Sequence, residues 1–147
     1  MLTQSALRAL GVSNVDVVPL DFDGNDFHFT SLLLQNGLRP RVWISEYNAR
    51  LPVGVNWVME YNDTHRWAGD DYFGASISAF AELIQGYGYF PVACSAQGAN
   101  IFFVQNDFLE NFMDVPKTLE VIYQPPLYAL SPSSTHSPSP RTLASLT

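Results

Sequence analysis

Residues 15–26, VDVVPLDFDGND, place Asp21, Asp23, Asn25 and Asp26 directly behind an apolar run. Carboxylate and amide oxygens so grouped could ligate a hard cation such as Mg2+ or Ca2+, or hold and deprotonate a hydroxyl substrate. The register is wrong for an EF-hand loop: Gly24 stands fourth, and the twelfth residue counted from Asp21 is Leu32, not Glu. The same side chains have plainer uses. Asp26 could cap a helix, Gly24 could supply a special backbone angle, and Asn25 could form an Asx turn. Four polar groups exceed what one cap requires, which favours a ligand-facing role for Asp21 and Asp23.

Glu46, Tyr47 and Asn48 close a second apolar run, RVWISEY, at 41–47. If the two runs are neighbouring parallel strands, their carboxyl ends meet, and Glu46 and Asn48 lie near Asp21 and Asp23. Carboxylates gathered in this way raise one another's pKa or hold a cation. Alternatively, Glu46 pairs with Arg50 or Arg66. A third group sits in the long stretch 48–71 and just beyond it: Trp57, Tyr61, His65, Trp67, Tyr72 and Phe73, with Asp63, Asp70 and Asp71. These aromatics could close over the strand ends and stack on a planar or sugar-like ligand, or simply pin the loop to the sheet. The candidate set is therefore Asp21, Asp23 and Glu46 as catalytic carboxylates, and Asp21, Asp23 and Asn48 as metal ligands. Asn25, Tyr47, Asn48, His65, Trp67 and Tyr72 are candidate substrate contacts. No H-E-x-x-H, G-x-S-x-G, Walker A or G-x-G-x-x-G pattern occurs, neither His28 nor His65 has a second His at ligand spacing, and His136 is in the tail.

These residues need elements to position them. Thr3 can cap a helix to Leu10, residues 15–20 read as a strand, and Asp26 can cap a helix to Asn36 that Gly37 stops. With the strand at 41–47 this makes a βαβ unit, which implies parallel strands. Asp70 or Asp71 then caps a helix over 73–85, in which Ile77, Phe80, Ala81 and Ile84 share one face. Residues 90–94 and 100–105 form an antiparallel pair around Gly98, and Asn106 or Asp107 caps a short helix to Phe112. Residues 119–123 read as extended. The Ser, Pro and Thr content of 131–147 predicts a disordered tail, leaving 1–130 as the folded domain.

Composition removes several functions. The formal net charge is -7, Lys117 is the single lysine, and the arginines are scattered, so a phosphate-binding stripe for nucleic acid is not expected. No apolar run reaches membrane-spanning length, and the first residues lack the order of a secretory signal. Cys94, the one cysteine, reads as a small core residue and suits a reducing compartment. The expectation is a soluble cytoplasmic protein.

Taken in order, VDVVPLDFDGND, RPRVWISEYN, WAGDDYFGAS and NIFFVQNDF resemble the C-terminal half of FkbM-like, class I S-adenosylmethionine-dependent methyltransferases, over about residues 14–109. The resemblance implies an α/β fold: a partial Rossmann-like sheet of about four strands, mostly parallel with a terminal antiparallel pair, and helices on its faces. Residues 15–20 would be the fourth strand of that sheet and 41–47 the fifth. Asp21 and Asp23 fall at the family's acidic strand-end motif, Glu46 and Asn48 at the end of the next strand. The resemblance implies S-adenosylmethionine as cofactor, a small-molecule acceptor and O-methyl transfer, with Mg2+ possible by analogy to cation-dependent relatives. The family's glycine-rich cofactor loop is not in this sequence, so that half is either missing because the chain is a fragment or supplied by a partner. The strand at 15–20 would then lie at an edge that pairs with another chain or a second copy, or that the upstream helix covers. The other expectation is a non-catalytic binding module, an oligomer subunit or a fragment of a degenerate methyltransferase.

Overall fold

The computed structural model describes residues 15–116, 118–127 and 139–146. The helix expected at 3–10 lies outside them. The elements are β1 (Val17–Leu20), α1 (Asp26–Gln35), β2 (Val42–Glu46), α2 (Ile77–Gln85), β3 (Tyr89–Cys94), β4 (Asn100–Gln105), a 3-10 helix (Asn106–Phe112), α3 (Leu119–Ile122) and α4 (Pro140–Ser145).

One mixed sheet carries them in the order β1-β2-β4-β3. β1 and β2 are parallel, from Val17 opposite Val42 to Leu20 opposite Ser45, with α1 as the connection. β4 is antiparallel to both β2 and β3. Only one of the three pairings is therefore parallel, against the expected mostly parallel sheet. The reason is local: β3 and β4 form a hairpin, and it is the returning strand that docks on β2. Gly98 makes the hairpin turn at φ 70°, where a Cβ would stand 2.7 Å from the Gln124 carbonyl oxygen and closer still to that of Pro125.

The core forms where the apolar periodicities meet. Trp43 of β2 faces Phe103 of β4 across the ladder, and both are fully buried. Ile77, Phe80, Ala81 and Ile84 form the buried stripe of α2, while Glu82 and Gln85 face solvent. Leu33 and Leu34 bury the inner side of α1, and Phe27 meets Phe80 with ring centroids 5.6 Å apart. Burial of side chains this large contributes roughly 1.5–3 kcal/mol each against exposure.

Several boundaries differ from expectation. The cap of α2 is Ser76, whose Oγ accepts from the Ala79 amide at 3.2 Å, not Asp70 or Asp71. Asp26 is the first helical residue of α1, and the N-cap Asn25 makes no side-chain capping bond. Residues 119–122 are helical rather than extended, anchored by the buried Ile122. In the Ser/Pro-rich region, Ser139 caps α4, and Ser139 and Thr142 are almost fully buried.

β1 has a strand on one side only among the described residues, and Val17 is half exposed; the upstream residues that could cover this edge lie outside them. Asp16 accepts from the Val42 amide, so by alternation Asp16, Val18 and Leu20 bond to β2 while Val17 and Pro19 face outward. Proline has no amide hydrogen. The free edge of β1 thus offers a partner strand a single N–H, that of Val17.

Candidate functional site at the strand ends

Because β1 and β2 run parallel, Asp21 and Glu46 emerge together from the same end of the sheet. The turn after β1 then folds Asp23 back towards them. Asp21, Asp23 and Glu46 each offer a carboxylate oxygen within 4.8 Å of the others. With metal–oxygen distances of about 2.0–2.6 Å, oxygens on opposite sides of one cation stand roughly 4–5 Å apart, so the span suits a single ion.

Asp26 builds the turn that makes this possible. It is fully buried, and its carboxylate accepts from the Phe22 amide at 2.8 Å and the Gly24 amide at 3.0 Å. Desolvation raises the pKa of Asp26 even though those amides oppose the shift. Between them, Asp23 adopts φ 54°, a left-handed conformation that aspartate tolerates better than most residues. The long loop clamps the turn from outside. The Asn25 amide donates to the Asn62 carbonyl at 2.8 Å and accepts from its amide at 3.2 Å. His65 Nε2 lies 3.0 Å from the Asp23 carbonyl oxygen. Gly24 sits directly beneath the His65 ring, where a Cβ would come within 2.7 Å of Nε2.

Glu46 is the most perturbed carboxyl group. Burial, with the nearby Asp21, Asp26 and Asp23 charges adding to it, pushes its pKa from an ordinary 4.5 up to about 8. Its Oε2 is shielded from solvent and has no hydrogen-bond partner. A small cavity of about 50 Å³ lies against Asp23 and Glu46, walled by Trp67 and Phe73. Trp67 packs edge-on against Phe73 at 6.4 Å, and its Nε1 donates to the Asp70 carbonyl at 2.7 Å.

The structure thus brings together Asp21, Asp23, Glu46 and Trp67. It gives the other candidates different work. Asn25 and His65 pin the loop to the acidic turn. Asn48 is fully buried, its amide nitrogen bonded to the Asp71 and Phe73 carbonyls at 2.8 and 3.2 Å and its oxygen to the Arg50 amide at 3.2 Å. Tyr47 follows Glu46 in the strand and so points to the opposite face, where its hydroxyl donates to the Gln124 carbonyl at 2.6 Å. Tyr72 packs edge-on against Trp57 at 5.8 Å. With His65 it lines a separate cavity of about 260 Å³. Trp57 itself is buried with Leu51 and Met59 in a satellite core, the pinning role. Two contributors escape the candidate set. Phe73 walls the cavity because α2 starts only at Ile77, and Asp26 acts through its charge on Glu46.

Comparison with family models, curated proteins and solved structures finds no match to this chain. No described helix is long and apolar enough to cross a membrane.

Proposed function

We propose that the carboxylates at the ends of β1 and β2 form a divalent-cation site, and that the chain is the acceptor-side half of a methyltransferase-like unit. One observation carries the cation site: three carboxylates converge within 4.8 Å, and one of them, Glu46, keeps a shielded oxygen without a partner. Mutual repulsion among them is relieved by a proton or a cation. An all-oxygen donor set selects hard ions such as Mg2+, Mn2+ or Ca2+ over Zn2+. Asp21, Asp23 and Glu46 would hold the ion, which would supply charge to stabilise a developing alkoxide on a hydroxyl acceptor. Without a cation, Glu46 holds its own proton up to about pH 8, and only above that pH is its ionised form the main one available to take up the proton of such a hydroxyl.

The parallel pair joined by α1, with an acidic turn at its carboxyl end, supports the methyltransferase-like reading by analogy of fold alone. S-adenosylmethionine does not fit the residues present. The sequence has no glycine-rich loop. A cavity of about 50 Å³ is far too small for a nucleoside cofactor. Methyl transfer would therefore need a cofactor-binding half beyond the residues of this sequence. The small cavity favours one second reading, a cation-stabilised binding module without catalysis.

Isothermal calorimetry with Mg2+, Mn2+ and Ca2+ tests the site. The expected result is submillimolar binding by the wild-type chain that is lost in Glu46→Gln and Asp23→Asn. Absence of heat with all three ions overturns the cation site. A titration with S-adenosylmethionine separates the halves of the proposal: binding by the chain alone overturns the need for that further half.

A further inference from the structure

The turn that carries Asp70 to Phe73 is held on its inner side by Asn48 and on its outer side by the C-terminal segment. Asp71 Oδ1 accepts from the Ser139 amide at 2.7 Å and from the Thr142 hydroxyl at 2.9 Å. Trp57 Nε1 donates to Ser145 Oγ at 2.6 Å, and that hydroxyl donates on to the Thr142 carbonyl at 2.9 Å. The Arg141 guanidinium lies over the Tyr72 ring, 4.2 Å from its centroid, and 3.7 Å from the Asp70 carboxylate. Every one of these contacts is polar or cation–π. The apolar side chains of the segment are exposed, Leu143 of α4 by 65% and Leu146 just after it by 46%.

That pattern is unusual for a segment belonging to a core. A helix of six residues does not persist alone in water. Its one ion pair is largely exposed and holds it weakly; the buried bonds to Asp71 carry most of the attachment, and no apolar seam adds to them among the described residues. It therefore docks as a unit or not at all.

We infer that residues 139–146 are a detachable strap whose docking fixes the turn at 67–73 and, with it, the Trp67–Phe73 wall of the carboxylate cavity. The path is continuous. The strap grips Asp70 and Asp71, the Asp70 carbonyl holds the Trp67 indole, and Trp67 packs on Phe73 beside Glu46. Release of the strap removes the outer hold on the turn and leaves the inner ones, the Asn48 amide, the Tyr72–Trp57 ring contact and the buried Phe73 side chain. Access to the cavity is then set by docking of the C-terminal segment, whatever the cavity binds.

Amide hydrogen exchange on the full chain tests this without any ligand. The variant combines Arg141→Ala, Thr142→Val and Ser145→Ala, which removes the guanidinium and the two hydroxyls and leaves the turn untouched. Amides at 67–73 are expected to exchange at least about tenfold faster, with β2 and β4 unchanged. Faster exchange confined to 139–146, with 67–73 at the wild-type rate, overturns the inference. If the triple variant also disturbs β2 and β4, Arg141→Ala alone decides by the same comparison, because that side chain is 56% exposed and carries no core packing.

Discussion

Replacing Glu46 by Gln keeps the shape of the side chain and removes its titration. In the folded chain the Glu46 carboxyl holds its proton up to about pH 8, against an ordinary value of 4.5. Between those values the folded state binds more protons than the unfolded state, so native stability contributed by this group falls as pH rises. Each pH unit is worth about 1.4 kcal/mol, which sets a ceiling of about 5 kcal/mol by pH 8. Glu46 is only partly buried and two of its neighbours are exposed. Water and side-chain relaxation therefore reduce the realised effect to roughly 1–3 kcal/mol. Glu46→Gln should match wild type near pH 4.5 and exceed it by that amount near pH 8. Urea denaturation in the presence of a chelator, repeated from about pH 5 to about pH 8, measures the difference directly. Background titrations common to both chains cancel. A difference that does not grow with pH, or a variant less stable than wild type throughout, refutes the reasoning. Adding a divalent cation near pH 8 should reverse the order, because the ion favours the ionised carboxylate and stabilises only the chain that binds it.

Two further perturbations address the turn. Asp26→Asn leaves one acceptor oxygen where two amides now bond, so the Phe22 or the Gly24 amide loses its partner. The expected loss is about 1–3 kcal/mol, read from the urea midpoint. Gly24→Ala drives a methyl group into the His65 ring and within 3.1 Å of Met59 Cε. It should lower stability by about 1–3 kcal/mol and displace His65 from the Asp23 carbonyl, visible in a thermal melt and in the His65 ring resonances.

The strands that position the site were legible because their signal is purely local. VDVVPL and RVWISEY are apolar runs closed by polar residues, and both form the strands expected of them. Likewise Ile77, Phe80, Ala81 and Ile84 spell out the buried face of α2. The approach of Asp21 to Glu46 followed from the parallel pairing, whereas Asp23 joins them through the turn that Asp26 holds. Asn48 was not legible, because an amide at a strand end says nothing about the carbonyls that will return to it, here from Asp71 and Phe73 some twenty residues later. Tyr47 could have been separated from Glu46, since adjacent strand residues face opposite ways. The strap was hidden by composition. Ser139 followed by Pro140 is a proper helix start, an N-cap and a proline at the first position, but it sits among serines and prolines that promise no helix.

The placement of β4 at the centre of the sheet also sets the order in which the chain can become a protein. During synthesis at about 5–20 residues per second, β1, α1 and β2 leave the ribosome several seconds before Asn100–Gln105 exists to cover the exposed side of β2. Over that interval Trp43 has no Phe103 to pack against. The nascent βαβ segment has only two strands and one helix, with one edge of β2 still unpaired. The clamps on the acidic turn wait less long, because Asn62 and His65, which hold Asn25 and Asp23, are made well before the hairpin.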